Sequence, residues 1–262
     1  MSVKNDNIVV VTGRGGTGKS TFTSLMARYL GELGLTPVLL VDSDPDENLA
    51  EMMGIDLKSQ NKKSIADVLA KILEEKRMSK MVGMSPTDKI EPFIFQETLY
   101  EGDSFFDFIG VGTKWVEGCY CLPDHSLGQI MEKWARNYAY VLVDSPAGVE
   151  HLNRKITKRV KDVFNILDAS KKSIDNAKRT YRIMREVGIT FDNYYLVGGH
   201  TFSQIFEEDA RKQSYTYLGR IEYDELVRDY NIEGRALLDL PEESKAYKSV
   251  KQIVEMAGYK GK

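Results

Sequence analysis

Short apolar, β-branched runs alternate along this chain with stretches whose apolar residues recur every three or four positions. The runs predict strands over 8–12, 38–42, 105–111, 140–144, 163–167, 194–197 and 217–221. Between the first two, Phe22, Leu25, Met26, Tyr29, Leu30 and Leu33 mark one face of a helix. Near the other end Tyr247, Val250, Val254 and Ala257 stripe a helix over 244–257. Strand following helix in this way predicts an α/β fold, doubly wound, with a mostly parallel sheet flanked by helices. No repeat or low-complexity linker interrupts it, so residues 1–262 read as one domain. Within that domain 58–104 is a charged, partly helical excursion suited to a lid or a partner surface.

The first strand runs straight into Gly13-Arg14-Gly15-Gly16-Thr17-Gly18-Lys19-Ser20-Thr21 and then into the first helix. Strand, glycine loop and helix are the setting that the phosphate-loop pattern G-x-x-x-x-G-K-[ST] requires. The glycines let backbone N–H groups turn inward around a polyphosphate, and the helix start adds its own free N–H groups. Lys19 is placed to reach the outer phosphates, and Ser20 to offer its hydroxyl to Mg²⁺. Carboxylates end two later strands. Val41-Asp42-Ser43-Asp44-Pro45 puts Asp44 where it can orient an attacking water and Asp42 behind Mg²⁺. Tyr140-Val141-Leu142-Val143-Asp144 ends on an acid suited to hold Mg²⁺, usually through water.

Charge and composition narrow the partners. Acidic residues slightly exceed basic ones, for a net charge of −3, which disfavours nucleic acid. A basic run, Arg154, Lys155, Lys158, Arg159 and Lys161, reads most commonly as a solvated helix face, with a DNA contact or a dock for an acidic partner as the other readings. No apolar run spans a bilayer and the polar start is no secretory signal, so a cytoplasmic protein off the membrane is expected. The two cysteines share one tripeptide, Cys119-Tyr120-Cys121, which in a reducing compartment points to metal or redox chemistry rather than a staple. Two thiolates bind a metal from one side, and a four-coordinate sulfur site needs two more. A twofold dimer would supply them, and His125 is the alternative within one chain. Spacing alone reads equally well as a pair of ordinary thiols.

The phosphate loop with a basic residue before its double glycine, the Asp-x-Asp-Pro stretch and Val143-Asp144-Ser145-Pro146-Ala147-Gly148-Val149-Glu150 together resemble the deviant Walker ATPases. That class includes the cell-division regulator MinD, the ParA partition ATPases and the nitrogenase iron protein. Gly118-Cys119-Tyr120-Cys121 and Gly148-Val149-Glu150-His151-Leu152 resemble the CooC type within it, nickel-insertion ATPases that mature carbon monoxide dehydrogenase, and their relatives serving acetyl-CoA synthase. The resemblance implies an ATP-hydrolysing homodimer that binds ATP or ADP with Mg²⁺ and closes on nucleotide. It also implies Ni²⁺, or Zn²⁺, held by Cys119 and Cys121 of both chains and delivered to a nickel-iron-sulfur client. Relatives carry lysine at Arg14, a residue that crosses to the partner's nucleotide, and arginine keeps the charge with a planar fork. At Gly198 relatives carry an asparagine that reads adenine, and at Glu222 often a proline. Two other jobs remain open in the same class: an iron-protein-like reductase gating electrons through a shared 4Fe–4S cluster, and a MinD/ParA-like positioning ATPase.

Overall fold

The apolar runs pair into a single sheet in the computed structural model, which describes residues 7–44, 46–74, 85–102, 105–112, 121–146 and 159–261, with the backbone alone at 73, 86 and 121–127. The strands are β1 (Ile8–Gly13), β2 (Val38–Asp42), β3 (Tyr100–Glu101), β4 (Phe106–Gly110), β5 (Tyr140–Asp144), β6 (Arg159–Leu167), β7 (Thr190–Gly198) and β8 (Thr216–Arg220). Their spatial order is β3-β4-β2-β5-β1-β6-β7-β8. Every pairing is parallel except that of β3 with β4. β1 lies between β5 and β6, so the loop that leaves it emerges from the middle of the sheet's carboxyl edge.

Helices cover both faces, which is why the central strands are apolar on both sides. The helices are α1 (Lys19–Glu32), α2 (Asn48–Met52), α3 (Ile65–Glu74), α4 (Pro86–Thr98), α5 (Cys121–Trp134), α6 (Ser173–Glu186), α7 (Glu207–Arg211), α8 (Glu225–Glu233) and α9 (Lys245–Met256). On one face Val9, Val11, Leu40 and Phe164 pack against Phe22, Leu25 and Met26 of α1 and Tyr247, Val250 and Val254 of α9. On the other, Val10, Val41 and Val143 pack against Ile65 and Val68 of α3, Ile90 and Ile94 of α4 and Met184 of α6. Strand residues one apart thus serve opposite cores, as the pleat requires. The excursion at 58–104 supplies α3 and α4, whose apolar faces belong to that second core.

The seven expected strands are present, and β3 is an added two-residue edge. The basic run is corrected in part. Arg159 and Lys161 lie on β6 rather than on a helix, because Val160 and Asp162 alternate with them and are buried. Residues 154–158 of that run lie outside the described residues. The last helix starts one residue later than expected because Ser244 caps it, accepting a hydrogen bond from the Tyr247 N–H at 3.2 Å.

Candidate functional site

Gly13 ends β1 with φ at 150°, and a Cβ there would lie 2.4 Å from the Ile166 carbonyl of β6. Gly16 and Gly18 hold φ at 72° and 93°. The Thr17 hydroxyl closes the loop by donating to the Arg14 carbonyl at 2.9 Å. Arg14, Gly15 and Gly16 are exposed at its crest, and Thr21 follows in the first turn of α1. Lys19 is only 5% exposed along its side chain, with Nζ 3.4 Å from the Arg14 carbonyl and 3.7 Å from Asp44 Oδ2. The cation is therefore already inside the loop.

Asp42 and Asp144 are register partners on β2 and β5, both buried, and burial pushes each carboxyl up to about 7, with the charges of Asp44 and Glu47 adding to it at Asp42 and that of Asp42 at Asp144. Their surroundings separate their jobs. Asp42 accepts the N–H groups of Asp44 and Leu49, each at 3.0 Å, and so fastens the loop that carries Asp44. Asp144 accepts the Ser20 hydroxyl at 2.5 Å on Oδ2, while its Oδ1 is buried without a hydrogen-bond partner among the described residues. A hydroxyl beside an incompletely satisfied carboxylate is an oxygen donor set of the kind hydrated Mg²⁺ takes, and the bound ion would screen the charge of these two acids. Asp44 itself sits at the rim, its Oδ1 accepting the Asp46 N–H at 3.2 Å.

Arg14 is held by its own chain. Its Nη1 donates to Asp168 Oδ2 at 2.8 Å and to Ser170 Oγ at 3.1 Å, in the loop that follows β6. Burial alone would raise the Asp168 carboxyl, but hydrogen bonds from Ser170 and the guanidinium keep it below its ordinary range. Past β7, Gly199 lets the chain graze the phosphate loop, since a Cβ there would stand 2.3 Å from the Thr17 carbonyl. His200 then packs beside Gly18, and burial lowers its pKa. Beyond it opens a cavity of about 370 Å³ lined by Gly18, Thr21, His200, Tyr223, Val227 and Asn231 among others. At Gly198 there is no room for a side chain, because a Cβ would lie 2.7 Å from both Arg220 and Phe202.

The structure thus brings Gly13, Gly15, Gly16, Thr17, Gly18, Lys19, Ser20 and Thr21 together with Asp42, Asp44 and Asp144. Cys119 and the side chains of Cys121 and His125 lie outside the described residues, although the backbone of Cys121 opens α5. Asp168, Ser170, Gly199, His200 and Asn231 were not visible from the sequence. Only their places after β6, after β7 and on α8 connect them to the loop, and those places depend on strand order.

A phosphate loop at the centre of a parallel sheet, with acids on the neighbouring strand ends, defines a P-loop nucleotide hydrolase. The AAA domain family (AAA_31) matches residues 5–190, and the chain belongs to it, as a P-loop ATPase. The uncharacterized ATP-binding protein MJ0685 of Methanocaldococcus jannaschii is 32% identical over 95% of this chain and 97% of its own length. The carbon monoxide dehydrogenase accessory protein CooC of Rhodospirillum rubrum is 28% identical over 69% of this chain and 70% of its own. In fold the chain is similar to the septum site-determining protein MinD of Pyrococcus horikoshii, solved with Mg-ADP, with a TM-score of 0.66 and 18% identity over 96% of each chain. No helix among the described residues is long and apolar enough to cross a membrane.

Proposed function

We propose that this ATPase is a cytoplasmic metal-insertion factor. Two copies close on ATP and Mg²⁺, and Cys119 and Cys121 of both hold one Ni²⁺, with Zn²⁺ the competing occupant, for delivery to a nickel-iron-sulfur enzyme of the carbon monoxide dehydrogenase or acetyl-CoA synthase kind. In this reading Lys19 and Arg14 neutralise phosphate charge, Ser20 and Asp144 hold Mg²⁺ with Asp42 behind them, and Asp44 orients the water. One observation carries it. The cysteine-bearing connection leaves β4 at Gly110, in register with Asp42 on the same carboxyl edge from which the phosphate loop leaves β1, and the described chain resumes as α5 at Cys121. The connection that carries both cysteines thus begins at the edge where the phosphate loop lies, which supports a reading in which nucleotide-driven closure assembles a four-sulfur site. The likeness to CooC supports the client class.

The test is anaerobic mass measurement with metal analysis, without nucleotide, with ADP and with a non-hydrolysable ATP analogue. The expected result is a colourless dimer holding about one divalent ion per two chains, lost in the Cys119→Ser/Cys121→Ser double variant. A brown iron-sulfur chromophore would favour the reductase instead. Full metal binding by the double variant would end the metal-site reading.

A further inference from the structure

The cavity beside the phosphate loop has Gly18 and Thr21 at the start of α1 as one wall and α8 as another, so it adjoins the loop that takes the phosphates and can admit the base of the same nucleotide. Asp224, Val227, Arg228 and Asn231 line that second wall at spacings of three and four residues, which puts them on one helix face. Its apolar part, Val227 with Ile221, suits the flat of a ring. Recognition then depends on which polar side chain is free to meet the ring's edge.

Of the polar lining, Glu222, Asp224 and Arg228 are committed, while the side chains of Thr21, His200, Tyr223 and Asn231 make no hydrogen bond among the described residues. Glu222 accepts from the Arg220 guanidinium, at distances of 3.0 and 3.1 Å. Asp224 accepts from the Leu226 N–H at 3.0 Å, the Ser244 hydroxyl at 2.6 Å and the Ala246 N–H at 3.3 Å. Arg228 donates twice to Asp229, at 3.0 and 2.9 Å. The Asn231 amide makes no hydrogen bond among the described residues. Position 198 offers nothing in its place, because Arg220 and Phe202 fill the space around Gly198. Of the four uncommitted side chains only the Asn231 carboxamide sets a donor beside an acceptor on one edge, as adenine does with its 6-amino group and the adjacent ring nitrogen.

We propose that Asn231 is the specificity-determining residue of this ATPase, reading the adenine edge from α8 in the cavity beside the phosphate loop. The proposal rests on ATP being the nucleotide and concerns only how its base is chosen. Glu222 remains held by Arg220, and the triphosphate remains the task of the glycine loop.

Three probes separate the base from the phosphates: Mg-ATP, purine riboside triphosphate, which lacks the 6-amino group, and inorganic tripolyphosphate. Wild-type protein is expected to bind ATP about tenfold or more tighter than purine riboside triphosphate. Asn231→Ala should erase that difference while keeping tripolyphosphate affinity within about twofold of wild type, by the independence expected of separate contacts. Alanine favours a helix, so the variant should fold. An undiminished preference for ATP in Asn231→Ala would overturn the proposal, as would an equal loss of all three ligands, which marks a structural role. Failure of the wild-type protein to bind Mg-ATP while binding tripolyphosphate would overturn the adenine reading itself.

Discussion

Arg14 Nη1 donates to Asp168 Oδ2 at 2.8 Å, tying the exposed cation of the phosphate loop to its own chain. A guanidinium that neutralises charge on a partner's nucleotide must first leave this carboxylate, so the pair competes with closure. Arg14 is half exposed along its side chain, and such a pair stabilises a fold by no more than about 1 kcal/mol. Asp168→Asn keeps an oxygen for the Ser170 N–H but drops the charge. It should leave Tm nearly unchanged and shift ATP-dependent association to lower protein concentration. Arg14→Ala should bind ATP and turn it over about a hundredfold or more slowly, by the usual worth of an arginine at a transferring phosphoryl group. Phosphate release and sedimentation measure both. Equal turnover by Arg14→Ala and wild type would remove the residue from catalysis.

The phosphate loop was legible because each position of its pattern is local: glycines for positive φ, then Lys19 and Ser20 one after the other. Asp144 was legible too, since an acid closing an apolar strand is costly to bury unless a cation or a donor meets it. The basic run misled because Arg159 and Lys161 alternate with Val160 and Asp162, and the burial of an aspartate is invisible locally. Asp162 is satisfied from afar by Asn193 and Tyr259. The Arg14–Asp168 pair spans 154 residues of sequence and exists only because β6 lies beside β1. Asn231 was hidden for the same reason, as only the place of α8 brings it to the cavity beside the loop.

Asp144→Asn separates ion binding from folding. The native carboxylate accepts Ser20 on one oxygen and has its other oxygen buried near Asp42 without a partner among the described residues. Asparagine removes the repulsion with Asp42, so the nucleotide-free variant should unfold no more easily than wild type at neutral pH. It should also lose most of the Mg²⁺-dependent part of ATP affinity. Thermal unfolding with and without Mg-ATP reads both effects, and a normal Mg-ATP shift in the variant would exclude Asp144 from the ion site.

Gly199→Ala tests whether β7 shapes the loop. The new methyl would lie 2.3 Å from the Thr17 carbonyl and 2.9 Å from that of Leu167, both backbone atoms that cannot rotate away. Overpacking of this kind costs about 1–3 kcal/mol. Because one of the struck atoms belongs to the phosphate loop, affinity for ATP should fall along with Tm. Gly188→Ala is the control: its Cβ would meet nothing within 4 Å, although φ is 79°. That variant should lose stability through backbone strain alone and keep its ATP affinity. Equal ATP affinity in both variants would show that the contact at Thr17 does not shape the loop.

Asp224 holds the cavity's second wall in place through bonds to two helix starts. It caps α8 through the Leu226 N–H and reaches the start of α9 through the Ser244 hydroxyl and the Ala246 N–H, so one carboxylate fastens two helix starts. Burial would raise its pKa, but the hydrogen bonds led by Ser244 hold it below the ordinary carboxylate range. A carboxyl lowered in the folded state stabilises it above the unfolded pKa, and that stability is lost as pH falls through the folded value. Asp224→Ala should therefore lower Tm at pH 7 by an amount that shrinks only as the pH is taken down through the ordinary carboxylate range and below it, where the wild-type carboxylate takes up its proton. Loss of a cap costs about 0.5–2 kcal/mol. With α8 loosened, ATP affinity should drop while tripolyphosphate affinity holds. Melting curves for both proteins across that pH range supply the check, and a deficit that stays constant with pH would assign the effect to packing instead of charge.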